Sequence, residues 1–304
     1  MSTVYLGTSE FAATILRRLA ASEQNRPALV ITRPDGPSGR GRRLSSPPVA
    51  DAARELGLEL AQPPKVNDPE VLDLIVRATG GSEATVIVCA FGALIADPLL
   101  SWGEILNVHP SLLPRWRGAA PVERAVMAGD EQTGVCIMRL TAGLDSGPIC
   151  LTGVEPIREQ DTYGTLVARL QTLGGNLLVQ ALDQRPPFHE QPEDGVTYAE
   201  KIGAADRMLD PTDTASQLAR VVRALHPHIG ARLQIAEDVT IGVLRARPSE
   251  DVPEIGQGEL LDNEGRLLLG CGEGALELLE VQPPGGRAMD AGAYLRGYGV
   301  PGRR

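Results

Sequence analysis

An amide and an imidazole stand two residues apart in the run ILNVHP, at Asn107 and His109. Alternate residues of a strand face the same side, so both side chains project together while Leu106 and Val108 point away. Pro110 cannot donate to a ladder and predicts the end of the strand. An amide N–H can stabilise an oxygen that gains charge, and an imidazole can transfer a proton near neutral pH. An isolated pair of this kind more often serves structure, with the imidazole bonded to a backbone carbonyl and the amide closing a turn.

The stretch that follows, SLLPRWRGAAP (111–121), has two interpretations. As a structural element it is a loop leading into a helix that begins at Pro121 and runs to Ala128. As a ligand site it is a rigid wall with a hydroxyl, apolar side chains and two guanidiniums. Further along, Asp145 stands in the turn LDSGP, where an isolated Asx residue usually caps its own backbone. Beside His109 the same carboxylate would orient the imidazole, favour its charged form or hold a water for proton relay.

The first half of the chain alternates strand and helix patterns. The run ATVIVCA (84–90) is typical of a central parallel strand covered on both faces. This alternation predicts an open, mostly parallel α/β sheet, which binds ligands beyond the C-terminal ends of its strands. The other predicted strands are Val4–Leu6, Ala28–Thr32, Ile105–His109, Gly134–Leu140 and Ile149–Val154, and the predicted helices begin near Ser9, Pro48, Asp68, Pro121 and Thr162.

The pattern changes near Gln184, where prolines and polar residues indicate a linker. One helix follows, Thr214–Leu225, and then five short β-like runs separated by Gly, Asp, Asn and Pro. These runs predict a small barrel of the oligonucleotide-binding (OB) type: Arg232–Ile235, Val239–Ala246, Gly258–Asp262, Leu267–Gly270 and Leu276–Val281. A chain of 304 residues usually forms two domains. We therefore expect a first domain over residues 1–187, a linker over 188–207 and an OB-like domain over 208–304.

The composition is that of a soluble protein, with 42% hydrophobic and 22% charged residues. The longest nearly apolar run, Val86–Ala96, is about half of the ~20 residues that a membrane helix needs. The N-terminus lacks the pattern of a signal peptide, so we expect a cytoplasmic protein with no membrane contact. None of the four cysteines belongs to a CxxC pair or to a Cys/His cluster with zinc spacing, which predicts buried free thiols and no metal site.

The run NVHPSLLPRWRGAAP (107–121), together with GLDSGP (143–148), resembles the signature of enzymes that transfer a formyl group from 10-formyltetrahydrofolate. The resemblance implies a Rossmann-like catalytic domain whose trio falls on Asn107, His109 and Asp145. Asn107 would donate a hydrogen bond to the oxyanion of the tetrahedral species. His109 would take the proton of the attacking amine or, when charged, stabilise that oxyanion. The resemblance also implies contacts with the pterin end of the folate from two stretches: Phe91, Gly92, Leu94 and Ile95, and Ser111, Leu112, Leu113 and Pro114.

Further motifs extend the resemblance to the bacterial methionyl-tRNA formyltransferases over nearly the whole chain. They are LGTSEFAA (6–13), RPDGPSGRGRR (33–43), AFGALI (90–95) and TYAEK (197–201). The resemblance implies that methionyl initiator tRNA is the acceptor and that the OB-like domain binds it. It also implies that a loop carrying Arg33, Arg40, Arg42 and Arg43 enters the acceptor arm, with Arg40 as the key residue. By composition alone, the same loop is a solvated, mobile connection.

The overall charge argues mildly against a nucleic-acid partner, because 39 acidic residues outnumber 29 basic ones. The segment 208–304 contains ten Arg against fourteen Asp and Glu, so we expect few phosphate contacts. Three alternatives stay open. The acceptor could be an amino sugar or another small amine, the protein could hydrolyse formyltetrahydrofolate, or it could bind folate or RNA without catalysis. We expect the protein to be a monomer.

Overall fold

The computed structural model describes residues 2–38, 43–251 and 253–300 of the chain. These residues form two units. The first comprises Met1–Gly118, Thr133–Glu155 and Val167–Tyr198, and the second comprises Ala119–Gln132, Pro156–Leu166 and Ala199–Arg304. Each unit draws on several stretches of the chain, so the domain boundaries at 187 and 208 stay a prediction.

The first unit is built on a seven-stranded sheet in which five neighbouring strands are parallel. The strands up to residue 199 are β1 (Ser2–Gly7), β2 (Leu29–Ile31), β3 (Gly36–Ser38), β4 (Arg43–Ser45), β5 (Leu60–Ala61), β6 (Ala84–Cys89), β7 (Ile105–His109), β8 (Arg117–Gly118), β9 (Gln132–Arg139), β10 (Ile149–Pro156) and β11 (Tyr198–Ala199). The order of the large sheet is β10-β9-β7-β6-β1-β2-β5, with β9 antiparallel to β7. This order confirms the predicted Rossmann-like, mostly parallel sheet.

Helices connect these strands as the alternating pattern predicts. They are α1 (Glu10–Ala20), α2 (Pro48–Glu55), α3 (Pro69–Ala78), α4 (Pro121–Ala128) and α5 (Tyr163–Gln184). The Ser9 hydroxyl caps α1 by accepting a hydrogen bond from the Ala12 N–H. Asp68 precedes α3 as predicted, but its side chain makes no capping hydrogen bond. Among the described residues, none of the helices is long and apolar enough to cross a bilayer.

The second unit contains an antiparallel sheet of six strands: β12 (Ala231–Ala236), β13 (Val239–Pro248), β14 (Leu260–Asn263), β15 (Arg266–Gly270), β16 (Ala275–Gln282) and β17 (Met289–Asp290). The order is β12-β13-β16-β15-β14, and β17 pairs with β16. Helix α6 (Ala215–Leu225) buries Leu218 and Val222 in the same core as Leu233, Ile241 and Val281 of the sheet. The five predicted β-like runs correspond to β12–β16. Strand β17 and the last helix, α7 (Ala291–Tyr298), were not predicted.

Candidate active site

Strand β7 carries Asn107 and His109 at its C-terminal end. Asn107 lies opposite Val88 of the parallel strand β6 and opposite Met138 of β9. His109, the last residue of the strand, lies opposite Cys136. Both side chains are buried, and only 8% of Asn107 and 4% of His109 is exposed. An amide and an imidazole thus stand side by side where water is largely excluded.

The carboxylate of Asp145 comes to this pair from the loop after β9. Its Oδ2 is 3.6 Å from His109 Nδ1, and its Oδ1 is 3.5 Å from Asn107 Nδ2. Both distances exceed those of ordinary hydrogen bonds. A stronger contact comes from the Gly118 N–H, which donates to Oδ2 at 2.8 Å. The carboxylate is therefore anchored by a backbone donor and faces the other two residues across a small gap.

A backbone carbonyl sets the tautomer of His109. Its Nε2 is 2.9 Å from the carbonyl oxygen of Trp116. A carbonyl oxygen can only accept, so Nε2 carries a hydrogen and donates it. In the neutral ring Nδ1 is then unprotonated, and Nδ1 is the atom that faces Asp145. Nδ1 is therefore the ring nitrogen of His109 that can accept a proton, and it lies beside the carboxylate.

The loop after β7 holds that carbonyl in place. The Ser111 side chain is fully buried, and its hydroxyl donates to the Arg115 carbonyl at 2.7 Å. Trp116 has a positive φ of 64°, and its N–H donates to Thr197 Oγ1 at 2.9 Å. The next N–H, that of Arg117, donates to the Thr197 carbonyl at 2.9 Å. Thr197 thus binds the peptide group that contains the Trp116 carbonyl, through the Arg117 N–H, and the peptide group before it, through the Trp116 N–H.

Thr197 belongs to a segment, residues 188–198, that we call the strap. Two backbone hydrogen bonds of 2.8 and 2.9 Å join its residue His189 to Ile149 of β10. Gln191 of the strap donates from Nε2 to the carbonyls of Asp145 and Gly147, both at 2.8 Å. The strap lies within the range predicted as a linker, and neither Gln191 nor Thr197 was predicted as a site residue. The feature of the sequence that could have indicated Thr197 is the motif TYAEK (197–201), which begins at that residue.

Apolar side chains form a small cluster with Cys136, which lies opposite His109. The cluster comprises Leu113, Cys136, Met138 and Ile149. Burial raises the pKa of the Cys136 thiol, which favours its protonated form. Burial also raises the pKa of Cys89 to about 12 and that of Cys150 to about 11. All four cysteines are free thiols, and Cys150 is the one that is only partly buried.

The residues predicted to contact folate divide by exposure. Gly92 and Leu94 are exposed, Leu94 over 79% of its surface, and Leu112 and Pro114 are half-buried. The other four side chains are buried: Phe91, Ile95, Ser111 and Leu113. The first four are available to a ligand, whereas the buried four shape the two loops. All eight contacts stay a prediction.

The predicted arginine loop begins directly after β2. A Cβ built on Gly92 would be 3.8 Å from Arg33 Nη1, so the Arg33 guanidinium lies beside the loop predicted to contact folate. Strands β3 and β4 pair antiparallel, and Leu44 of β4 is 75% exposed. Arg43 is the first residue of β4. Arg40 and Arg42, which were also predicted to bind tRNA, lie outside the described residues.

Comparison with known proteins relates both parts of the chain to one family. Residues 1–182 match the family described as formyl transferase, and residues 201–299 match the formyl transferase C-terminal domain. The methionyl-tRNA formyltransferase of Halorhodospira halophila is 42% identical over 307 residues, which cover 98% of this chain and 97% of that protein. That of Ruegeria pomeroyi is 41% identical over 306 residues, which cover 99% of this chain and 98% of that protein.

A solved structure shares the fold at lower identity. HypX from Aquifex aeolicus, in complex with tetrahydrofolic acid, is similar with a TM-score of 0.62 and 15% identity. The similarity covers 97% of this chain, which spans about half (47%) of the HypX chain. At this identity the similarity concerns the fold alone. Two family matches and relatives above 40% identity over almost the full length show that the chain belongs to the formyl transferase family.

Proposed function

We propose that the protein transfers the formyl group of 10-formyltetrahydrofolate to the α-amino group of methionyl initiator tRNA. The observation that carries this proposal is the full-length similarity to proteins named methionyl-tRNA formyltransferase. The convergence of Asn107, His109 and Asp145 supports acyl transfer to an amine. A folate donor is supported by HypX, a structural relative solved with tetrahydrofolic acid. We also propose that the protein acts in the cytoplasm, as a monomer and without a metal.

Asn107 would stabilise the charge that develops during attack. When the amine nitrogen bonds to the formyl carbon, the formyl oxygen becomes an oxyanion. One N–H of Asn107 Nδ2 faces Asp145 at 3.5 Å, and the second is available to this oxygen. The amide is largely buried, so it donates in a setting of low dielectric constant. Because it is neutral, it does not repel the negative charge of the oxyanion. Loss of such a donor typically lowers the rate by roughly 10²–10³.

His109 would move the proton. The attacking nitrogen loses its proton to Nδ1, and the carboxylate 3.6 Å away stabilises the imidazolium that forms. Collapse of the tetrahedral species breaks the bond between the formyl carbon and N10 of the folate. The proton held at Nδ1 then passes to N10, so one C–N bond has formed, one has broken, and His109 is again neutral.

The acceptor would be recognised by other parts of the chain. The loop that begins at Arg33 and includes Arg40, Arg42 and Arg43 would enter the acceptor arm, because guanidinium groups pair well with phosphates. The exposed Leu44 stands on the strand that follows this loop and would add apolar contact. The second unit would supply the remaining contacts to the tRNA.

The decisive experiment supplies the protein with radiolabelled 10-formyltetrahydrofolate and four acceptor conditions. These are charged initiator methionyl-tRNA, charged elongator methionyl-tRNA, an amino-sugar nucleotide and buffer. We expect label on the initiator tRNA and much less on the elongator tRNA. Label on neither tRNA would refute the proposal, and label on the amino sugar or rapid hydrolysis in buffer would identify the alternative.

Two variants connect this assay to the named residues. Asn107→Ala should lower the rate by about 10²–10³ while folate binding persists. Arg40→Ala should weaken formylation of tRNA far more than binding of folate. Equal loss of both would mean that the arginine loop serves the fold rather than the acceptor.

A further inference from the structure

The amide of Gln191 joins the two loops that build the site. Its Nε2 donates to the carbonyls of Asp145 and Gly147, both at 2.8 Å. Its Oε1 accepts from Arg117 Nε at 3.1 Å and from Arg117 Nη2 at 2.7 Å. Both amide hydrogens and both lone pairs are therefore used. A single side chain connects the turn of Asp145 with the loop that carries the Trp116 carbonyl.

The turn needs such support because its backbone is strained. Asp145 has a φ of +43°, a conformation that costs non-glycine residues about 1–3 kcal/mol and persists only where the surroundings impose it. Gly147 is packed so closely that a Cβ there would be 1.9 Å from the Arg139 carbonyl oxygen. Gln191 bonds the carbonyl of the strained residue itself, and the Gly118 N–H holds its carboxylate. Main chain and side chain of Asp145 are thus fixed by two different partners.

We infer that Gln191 is a positioning residue for formyl transfer. It fixes the main chain at Asp145 and thereby the direction in which the carboxylate faces His109 Nδ1. Among side chains of this length, only an amide donates to two carbonyls and accepts from a guanidinium at the same time. Glutamate would keep the acceptors for Arg117 but would turn a negative charge toward the two carbonyl oxygens. The kinetic test of this role rests on the proposed function.

The kinetic test compares Gln191→Glu and Gln191→Met with the wild type. Methionine keeps the length and flexibility of the side chain but removes its donors, and it carries the test if the Glu variant does not fold. We expect kcat to fall about 10- to 100-fold, because a small displacement of a catalytic group costs that much. KM for folate and for tRNA should stay within about twofold, since the proposed role of Gln191 does not depend on contact with either substrate. Gln180→Glu, on the exposed face of α5, is the matched control and should change neither constant.

A double-mutant cycle separates positioning from a general structural role. If Gln191 acts through Asp145, adding Gln191→Met to an Asp145→Ala enzyme should lower kcat no further. A general loosening of the fold would instead lower kcat by the same factor in both backgrounds. Two results would overturn the inference: the same loss of kcat in both backgrounds, or a higher KM with an unchanged kcat.

A crystal structure of the Gln191→Met variant tests the same point without any assay. We expect the Asp145 carboxylate to have moved by about 1 Å or more relative to His109 Nδ1, on the scale at which displacement costs rate. An unmoved carboxylate would overturn the inference even if the variant were slow. The crystal structure also separates failure of this inference from failure of the proposed function. A wild-type protein that formylates no tRNA refutes the proposed function, whereas the position of the carboxylate still decides the role of Gln191.

Discussion

At the scale of single residues, the site is organised by backbone groups. The Gly118 N–H holds the carboxylate of Asp145, and the Trp116 carbonyl holds Nε2 of His109. These contacts leave Nδ1 of His109 facing Asp145 Oδ2, the oxygen that accepts from the Gly118 N–H, at 3.6 Å and without a direct hydrogen bond. In the proposed mechanism Nδ1 would receive and return a proton, and the absence of a direct hydrogen bond leaves this nitrogen open to the attacking amine.

The charge of Asp145 can be tested apart from its shape. Asp145→Asn keeps the size of the side chain and one oxygen that can accept from the Gly118 N–H, but it removes the negative charge 3.6 Å from Nδ1. We expect kcat to fall by about 10²–10⁴ with little change in the melting temperature. Steady-state kinetics of formyl transfer measure the effect, with Asp73→Asn on the exposed side of α3 as the control. A loss smaller than about fivefold would remove Asp145 from the proposed catalytic trio.

At the scale of elements, the strap stabilises the irregular loop after β7. Thr197 accepts from the Trp116 N–H through its hydroxyl and from the Arg117 N–H through its carbonyl. Only the first bond depends on the side chain. The strap therefore has a side-chain contact that can be removed without disturbing its backbone contacts.

Thr197→Val removes the hydroxyl and keeps the shape. The Trp116 N–H then loses its hydrogen bond to Thr197 Oγ1, and loss of such a bond typically costs about 0.5–1.5 kcal/mol. Trp116 also supplies the carbonyl that accepts from His109 Nε2. We therefore expect kcat to fall by at least about tenfold as that carbonyl shifts. Urea unfolding and formylation kinetics are the measurements. Thr197→Ser retains the hydroxyl and should restore both values, and equal behaviour of Val and Ser would show that the hydroxyl is dispensable.

The sheet of the second unit contains a buried carboxylate with two cationic partners. Glu277 of β16 lies opposite Arg247 of β13, and Arg247 Nε donates to its Oε2 at 2.9 Å. Arg266 of β15 donates to both oxygens at 3.2 Å. Burial raises the pKa of Glu277, but the hydrogen bonds from Arg266 and Arg247 outweigh it, and the pKa ends below the ordinary value. The charged form is therefore favoured by folding.

The sign of this shift sets a pH dependence of stability. A lowered pKa stabilises the fold above the unfolded pKa of about 4.3, and this contribution is lost as pH falls through the folded pKa. Glu277→Gln should lower the free energy of unfolding at pH 7 by about 1–3 kcal/mol. The difference from wild type should shrink below about pH 4. Urea titrations at pH 7, 5 and 3 measure it, with the exposed Glu237→Gln as control; a difference that is constant with pH would contradict the assignment.

At the scale of the whole molecule, regular patterns were predictable and long-range polar contacts were not. The alternating strands and helices of the first half and the five short runs after residue 230 each have a local periodicity, so their places in the fold follow from sequence. The bonds of Gln191 to Asp145 and of Thr197 to Trp116 span 46 and 81 residues, and no periodicity marks them. The Trp116 carbonyl is a backbone group, which every residue type has, so the sequence could not indicate its role. Asn107 and His109 could be predicted as a pair because a strand places alternate residues on one face.

The charge distribution bears on how the protein would hold a polyanion. The chain has a net charge of −10. Several arginines of the second unit donate to carbonyls or carboxylates of that unit, which reduces their availability to phosphates: Arg207, Arg220, Arg223, Arg247 and Arg266. Binding of tRNA would therefore depend on a small number of local contacts rather than on a general positive field.

This distribution predicts a shallow dependence of tRNA binding on salt. Each phosphate neutralised by Arg adds roughly 0.7–0.9 to the slope of log K against log salt, so three or four contacts give a slope of about −2 to −4. Binding titrations between 50 and 200 mM KCl should show a loss of roughly tenfold to a few hundredfold. Arg40→Ala should make the slope shallower by about 1, while Arg77→Ala, which removes one charge from the exposed face of α3, should leave it unchanged. A slope steeper than about −6 would require roughly seven or more neutralised phosphates and would contradict the expectation of three or four contacts.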